Sequence, residues 1–287
     1  NDKNNKLWLY NLHYFDDLNS SAKNKQFILM LLNKWILENP VGKGIGWEPY
    51  VISLRIVNIV KYLLNGGKYT FDITNNLFLQ AEYLSKRIEY NLLANHLIAN
   101  AKALIFAGVF FDSDGSDIFL QTGLKIIERE IGEQVLDDGC HYELSPMYNN
   151  IILEDLIDII NVLSIYSNTK FSLDISEVRK KIIKKIDKML FFSINNLHTD
   201  GSLPNFNDCS NHISQLPTSI LKYYKRVTNS KKKFKKTDNF YFRNSGFIKT
   251  KKANFSLFFK CSDVKPHYQP GHAHADLFSF EVCWKSQ

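Results

Sequence analysis

Three stretches of this chain carry side chains able to do chemistry. Asn95 and His96 sit inside an apolar run of Leu92, Leu93, Leu97 and Ile98, whose spacing predicts a buried or half-buried helix. A buried Asn or His needs hydrogen-bond partners, so the pair is either a satisfied piece of core or a working one. As a working pair, His96 is a natural general base, because its ordinary pKa of about 6.5 lies near working pH. Asn95 could donate to a developing negative charge without bringing a charge of its own. Tyr148 follows a Ser-Pro turn signal at 145–146 and opens the next helical run. It is either a packing tyrosine or a proton donor; acting as a base it would need cations to bring it well below about 10.

The third stretch is GHAHAD at 271–276. In a strand-like frame His272, His274 and Asp276 alternate onto one face, as metal ligands should, whereas an extended loop supports no such statement. Two His and one Asp suit zinc, although three ligands in one short run usually need a distant fourth. Carboxylates are also available in loops: Glu143, Asp200 and Asp208. Arg55 interrupts the apolar face of Ile52, Ile56, Ile59 and Leu63, either to pair with a carboxylate structurally or to hold a substrate carboxylate in its fork. Arg55, Glu143 and Asn207 are the candidate substrate contacts.

The chain that must position these residues has 287 of them, enough for one large domain and part of another. With 45% hydrophobic and 23% charged residues it is an ordinary globular sequence, long enough to bury about three-quarters of its unfolded surface without disulfide staples. Cys140, Cys209, Cys261 and Cys283 form no CxxC pair and declare no redox compartment. There is no continuous apolar run of 18 residues, so no transmembrane segment is expected. The chain starts at Asn1 without a signal-like stretch. Residues 225–252 hold eleven Lys or Arg against one Asp, a local +10 that leaves the rest of the +7 chain at −3. Such a stretch can bind nucleic acid, anionic lipid or an acidic polysaccharide, and is more commonly a solvated linker.

Helical runs are predicted at 22–37, with Phe27, Leu31 and Trp35 at steps of four, then at 47–64, 74–91, 92–111, 116–136, 148–166, 176–196 and 217–228. In the run 176–196, Ile182, Ile183, Ile186, Met189 and Leu190 share a face. HTDGSLPNFNDCSN, 198–211, is a loop long enough to be functional. After 239 the period becomes two, and in 277–284 Phe278, Phe280, Val282 and Trp284 form one apolar face. Strands of this kind cannot bury their faces alone, so a fragment of a longer protein is expected. The organisation read from these patterns is a helical domain over 1–228, a basic linker over 229–245, and the beginning of a β-domain over 246–287.

The strings LWLYNLHYFDDL (7–18), GWEPYVISLRIVN (46–58), NHLIANAKALIFAGVFF (95–111), ILEDLIDIIN (152–161) and PGHAHADLFSFE (270–281) resemble the heparinase II/III-type polysaccharide lyases. The resemblance runs from about residue 7 to the end. It implies an (α/α) toroid of helical hairpins followed by an antiparallel β-sandwich, cleavage of a uronate-containing acidic glycan by β-elimination, and a site in the cleft between toroid and sandwich. It further implies a split of the two histidines: His272 toward substrate, and His274 on a structural Zn2+ whose other ligands lie further on, with no organic cofactor. The partner is then an acidic polysaccharide rather than nucleic acid, and the compartment periplasmic or secreted. Two departures stand out, since the family pattern has a basic residue near Leu144 and a His near Asn149.

β-Elimination needs a neutraliser for the uronate carboxylate, a base for the C5 proton and an acid for the departing oxygen. Asn95, His96, Tyr148 and His272 are the catalytic candidates, with the choice of base between His96 and Tyr148 open. Three rivals stand beside this reading. One is an α-toroid glycosidase pairing Glu143 with Asp200 or Asp208. Another is a non-catalytic glycan-binding protein. The third, a metallo-β-lactamase-type hydrolase, wants a His where Leu277 stands.

Overall fold

A run such as NHLIANAKALIFAGVFF is apolar on every side, and a helix of that kind belongs in the middle of a fold. The computed structural model, which describes residues 6–20, 24–111, 113–165, 171–268 and 270–284, puts it there. Residues 22–23 and 166, at the ends of two runs expected to be helical, lie outside the described residues. The chain divides into two compact units, Asn1–Ile127 and Glu128–Gln287.

In the first unit the described helices are α1 (Lys6–Tyr14), α2 (Lys25–Glu38), α3 (Pro49–Leu64), α4 (Phe71–Ser85), α5 (Ala94–Phe111) and α6 (Asp117–Gln134), the last continuing into the second unit. α5 packs most extensively on α3, whose Ile52, Ile56, Ile59 and Leu63 are all buried. By length and composition α5 could cross a membrane, contrary to the expectation from unbroken runs; 83% of it is buried here, as befits a core helix. Two glycines let α6 approach it: a Cβ on Gly108 would stand 2.6 Å from the backbone of Leu120, and one on Gly123 would stand 2.8 Å from the carbonyl of Ala101.

Helix α2 corrects one expectation. Phe27 and Leu31 face solvent, and the buried row is Ile28, Leu32 and Trp35. Steps of four advance about 400° around a helix, so a 27–31–35 row drifts, whereas alternating steps of four and three stay on one side. A second correction separates α4 from α5. Instead of two helices meeting near Tyr90-Asn91, residues 86–93 form turns, and both Leu93 (φ 59°) and Ala94 (φ 54°) take left-handed backbone.

The second unit holds α7 (Pro146–Ile165), α8 (Ser172–Asn195), α9 (Pro217–Thr228) and four strands, β1 (Phe240–Phe242), β2 (Phe247–Lys252), β3 (Phe255–Lys260) and β4 (Phe280–Trp284), paired antiparallel in sequence order. Ile182, Ile186, Met189 and Leu190 of α8 are buried as their spacing required, while Ile183 is only half-buried. One sheet face supplies Phe242, Phe247 and Phe258 to a core shared with Phe192 of α8 and with Cys140, Leu144 and Phe206. The opposite face carries the alternation read from 277–284. Phe280, Val282 and Trp284 lie on it, and all three are exposed. Phe278 is not in the strand; it occupies a turn with φ 61°. β1 begins at Phe240, inside the stretch read as linker, and Lys232 of that stretch pairs with Asp187 at 2.7 Å.

Candidate functional site

The first unit arranges one cluster at the start of α5. Left-handed backbone at two successive non-glycine residues, Leu93 and Ala94, costs on the order of 1–3 kcal/mol each, and it turns the chain into the helix on which Asn95 and His96 follow. His96 directs Nδ1 at Oε1 of Glu89, 3.1 Å away, and its ring lies against Tyr50 with centroids 4.5 Å apart. Glu89 is held in turn. Its Oε2 accepts from Asn100 Nδ2 at 2.9 Å, its backbone N–H donates to Asn100 Oδ1 at 2.9 Å, and Asn100 also donates to Ser53 Oγ of α3 at 3.0 Å. With the Nδ1 proton engaged by Glu89, the Nε2 lone pair of His96 is the accepting one. Asn95 is buried, and its Oδ1 has no hydrogen-bond partner.

The second unit arranges the other. Ser145 caps α7: its Oγ accepts from the Tyr148 N–H at 3.3 Å and donates to the Asp208 carbonyl at 2.8 Å. Tyr148 thereby leaves the first turn of α7, and its ring rests on His272 with centroids 4.1 Å apart. His272 Nδ1 lies 2.8 Å from Asp208 Oδ2, and its Nε2 lies 4.0 Å from Glu143 Oε1. Phenol, imidazole and carboxylate in contact make a proton-transfer set oriented by hydrogen bonds.

Behind it stand buried groups. Glu143 and His141 are 1% and 0% exposed, too little for either to touch a substrate. Burial, with Asp208 nearby, pushes Glu143 up to about 8; burial, with His272 nearby, pulls His141 down to about 3. Their 3.5 Å approach would be an ion pair were both charged, but at neutral pH those shifts leave both uncharged. Glu143 therefore loses its place as a substrate contact.

Two other expected contacts also prove internal. Arg55 is fully buried, donating to Gln80 Oε1 at 2.9 Å and to the carbonyls of Gly46 at 2.7 Å and His13 at 3.1 Å, with its guanidinium 4.0 Å from the Trp35 ring centre. It ties α3 to α1, to α4 and to the turn at Gly46, and its fork is filled by an amide oxygen and two main-chain carbonyls instead of a carboxylate. Asn207, with φ 53°, organises its loop. Its Nδ2 donates to the carbonyls of Glu143 and Leu144, its Oδ1 accepts from Lys260 and the His274 N–H, and its own N–H donates to Asp276.

GHAHAD is a loop, not a strand, and its three polar residues part company. His272 turns to Asp208, Asp276 pairs with buried Lys260, and His274 is exposed. Among the described residues no three His, Cys, Asp or Glu side chains could together hold a metal ion. The donors present do not by themselves make the zinc site expected at His274.

Sequence reasoning passed over Glu89, Asn100 and His141. Only His141 left a signal, its place two residues before Glu143; residues 141–144 form a turn closed by the Leu144 N–H on the His141 carbonyl at 2.9 Å, and the two side chains come within 3.5 Å.

The chain is thus a run of helices leading into a small antiparallel sheet, with a tyrosine and a histidine stacked in the second unit. Residues 13–240 match the family described as Heparinase II/III N-terminus and residues 235–287 that described as Heparinase II/III-like, C-terminal. The chain belongs to the heparinase II/III family. It is 28% identical over 187 residues to a heparin-sulfate lyase of Pedobacter heparinus, covering 61% of this chain and 27% of that protein. It is 29% identical over 120 residues to a heparin-sulfate lyase of Bacteroides stercoris, covering 42% and 17%. Among solved structures, heparinase III superposes with TM-score 0.71 at 18% identity over 97% of this chain and 48% of that one. A mutant of the heparan sulfate lyase HepC from Pedobacter heparinus superposes with TM-score 0.66 at 19% identity over 99% and 49%. The matched part thus spans 27% and 17% of the length of those curated relatives and about half of the solved chains.

Proposed function

We propose that the protein to which this chain belongs is a polysaccharide lyase that cleaves a uronate-containing glycan of glycosaminoglycan type by β-elimination. The observation that carries this reading is the Tyr148–His272–Asp208 set. The phenol is packed on an imidazole whose orientation is fixed by a carboxylate, and a proton relay of this kind suits protonation of a departing glycosidic oxygen. Asn95, His96 and Glu89 supply the complementary chemistry. Asn95 neutralises the uronate carboxylate, and His96, steadied by Glu89, is available to take the C5 proton. Tyr148 is assigned the acid and His272 its partner. The names of the relatives, heparin-sulfate lyases, favour a sulfated glycosaminoglycan.

The two-carboxylate glycosidase draws less support. It needs Glu143 at the substrate, where the side chain is buried, and of its two candidate partners Asp200 is bound to the Ser202 N–H and Oγ at 2.9 and 2.7 Å and Asp208 lies 2.8 Å from His272 Nδ1. The full-length protein incubated with heparan sulfate, chondroitin, hyaluronan and alginate should release fragments with a new unsaturated uronate, seen by ultraviolet absorbance and mass. Fragments heavier by one water would show hydrolysis and overturn the proposal.

A further inference from the structure

The buried carboxyl of Glu143 stands out in the second unit because neither of its oxygens has a hydrogen-bond partner. An orphaned buried polar group of this kind calls for an account. Its surroundings are ordered enough to supply one. Gln134 donates through Nε2 to Glu130 Oε2 at 2.7 Å, which turns the Gln134 carbonyl oxygen toward His141 Nε2, 2.9 Å away. An amide oxygen can only accept, so His141 carries its proton on Nε2 and presents a bare lone pair at Nδ1. That lone pair faces Glu143 Oε2 at 3.5 Å, and Nδ1 is itself without a partner. A carboxylate there would set lone pair against lone pair; a carboxylic acid would supply the missing proton. The other oxygen, Oε1, faces Nε2 of His272, whose Nδ1 is already on Asp208.

We propose that Glu143 is a positioning residue that works as a neutral carboxylic acid, its O–H serving His141 and its uncharged second oxygen facing His272, so that Asp208 is the carboxyl of the two that orients the imidazole beside Tyr148. Two carboxylates on opposite edges of one imidazole would compete for its protons and loosen its orientation. One anion and one neutral acid give the ring a single preferred pose, the pose in which it packs on Tyr148. The shift of Glu143 toward the neutral form agrees with this and has burial as its main cause. The role rests on the lyase reading above, but the geometry behind it does not.

Glu143→Gln and Glu143→Ala separate the possibilities in the full-length protein. Glutamine keeps a neutral donor and a neutral acceptor at the same places, so E143Q should stay within about threefold of wild type, while E143A should lose kcat by about tenfold or more with KM changed less than threefold. Nitrogen-15 spectra of His272 should match wild type in E143Q and differ in E143A. A fall in E143Q as deep as in E143A would show that the charge matters and would overturn the proposal. So would wild-type kcat and an unchanged His272 spectrum in E143A, folded by circular dichroism, since the residue would then be mere packing. If the wild type yields no unsaturated product, the lyase reading fails by itself, and the His272 spectra still decide whether Glu143 sets that ring.

Discussion

His96 and His272 are both partly exposed imidazoles with Nδ1 on a carboxylate, yet they are assembled differently. His96 takes its carboxylate from Glu89, seven residues away, and Asn100, one turn further along the same helix, holds Glu89 with two hydrogen bonds, one donated to the carboxylate and one accepted from its main-chain N–H. The cluster is local and its buried carboxylate is satisfied. His272 takes Asp208 from 64 residues away and Tyr148 from the start of α7, while the carboxyl behind it, Glu143, is buried with no hydrogen bond. The difference teaches where each cluster is vulnerable. A local cluster stands or falls with one helix start; a long-range one depends on every loop that delivers a part. Both pass through left-handed non-glycine backbone, at Leu93 and Ala94 in the first unit and at Leu144 and Asn207 in the second. In each case that backbone lies beside the proposed proton-transfer groups, where such strain tends to collect.

The largest effect should come from the second cluster's phenol. Tyr148→Phe removes one oxygen and almost no volume, so the fold should persist, with a stability change under about 1.5 kcal/mol. General acid–base groups contribute roughly a hundredfold to ten-thousandfold, and turnover should fall by that order with KM little changed. Steady-state kinetics on the best glycan checks this. Activity near wild type in a folded Tyr148→Phe protein would remove the phenol from the chemistry and leave the first cluster to account for it.

A smaller effect sharpens the contrast between the two carboxylates. The Glu89 side chain is 10% exposed and the Asp208 side chain 48% exposed. Charge interactions strengthen as solvent is excluded, so Glu89→Gln should cost more, about tenfold to a hundredfold in kcat, than Asp208→Asn, about threefold to tenfold. Salt should separate them as well. Raising ionic strength should blunt the difference between wild type and Asp208→Asn and leave the Glu89→Gln deficit unchanged, because screening acts on exposed pairs far more than on buried ones. Equal deficits with equal salt dependence would mean that burial does not distinguish the clusters.

How much of this was legible in the sequence follows the same local-versus-distant division. Periodicity located the helices from α2 onward, though not the short α1 in its aromatic-rich run, and for α9 it placed both ends, because an apolar face repeating every 3.6 residues is a local property. It misplaced the buried row of α2, where steps of four and of three-plus-four differ only by the slow drift that packing resolves. Asn95, His96, Tyr148 and His272 were legible as residue types in telling places. Their partners were not, because nothing in a string says that residue 208 meets residue 272. Arg55 shows the converse error. An arginine in an apolar face reads as half of an ion pair or as a ligand-binding fork, yet the partners waiting for it were the Gln80 amide oxygen and the main-chain carbonyls of Gly46 and His13, none of which carries a charge that a sequence pattern would pair with it.

The smallest effect tests the state of the carboxyl behind His272 by stability alone. In the folded chain Glu143 is pushed up to about 8 from an ordinary value near 4.5, so between those limits the folded state holds a proton that the unfolded state has released. Stability then falls as pH rises through that window, and the contribution, full below about 4.5, is gone above about 8. His141 works in the opposite sense. Pulled down to about 3 from 6.5, it takes up a proton on unfolding between those values, so its contribution makes stability rise with pH and is complete above about 6.5. The groups facing Glu143 are His141, His272, Asp208 and the neighbouring Tyr142, the last raised far out of this range by burial. The interval from pH 6.5 to 8 therefore isolates Glu143 from His141. Over it, the melting temperature of wild type should drop relative to Glu143→Gln, whose amide cannot titrate, and the gap should stop changing above about pH 8.5. A gap independent of pH from 6.5 to 8.5 would mean that Glu143 is already ionised in the folded protein, and the neutral acid behind His272 would have to be given up.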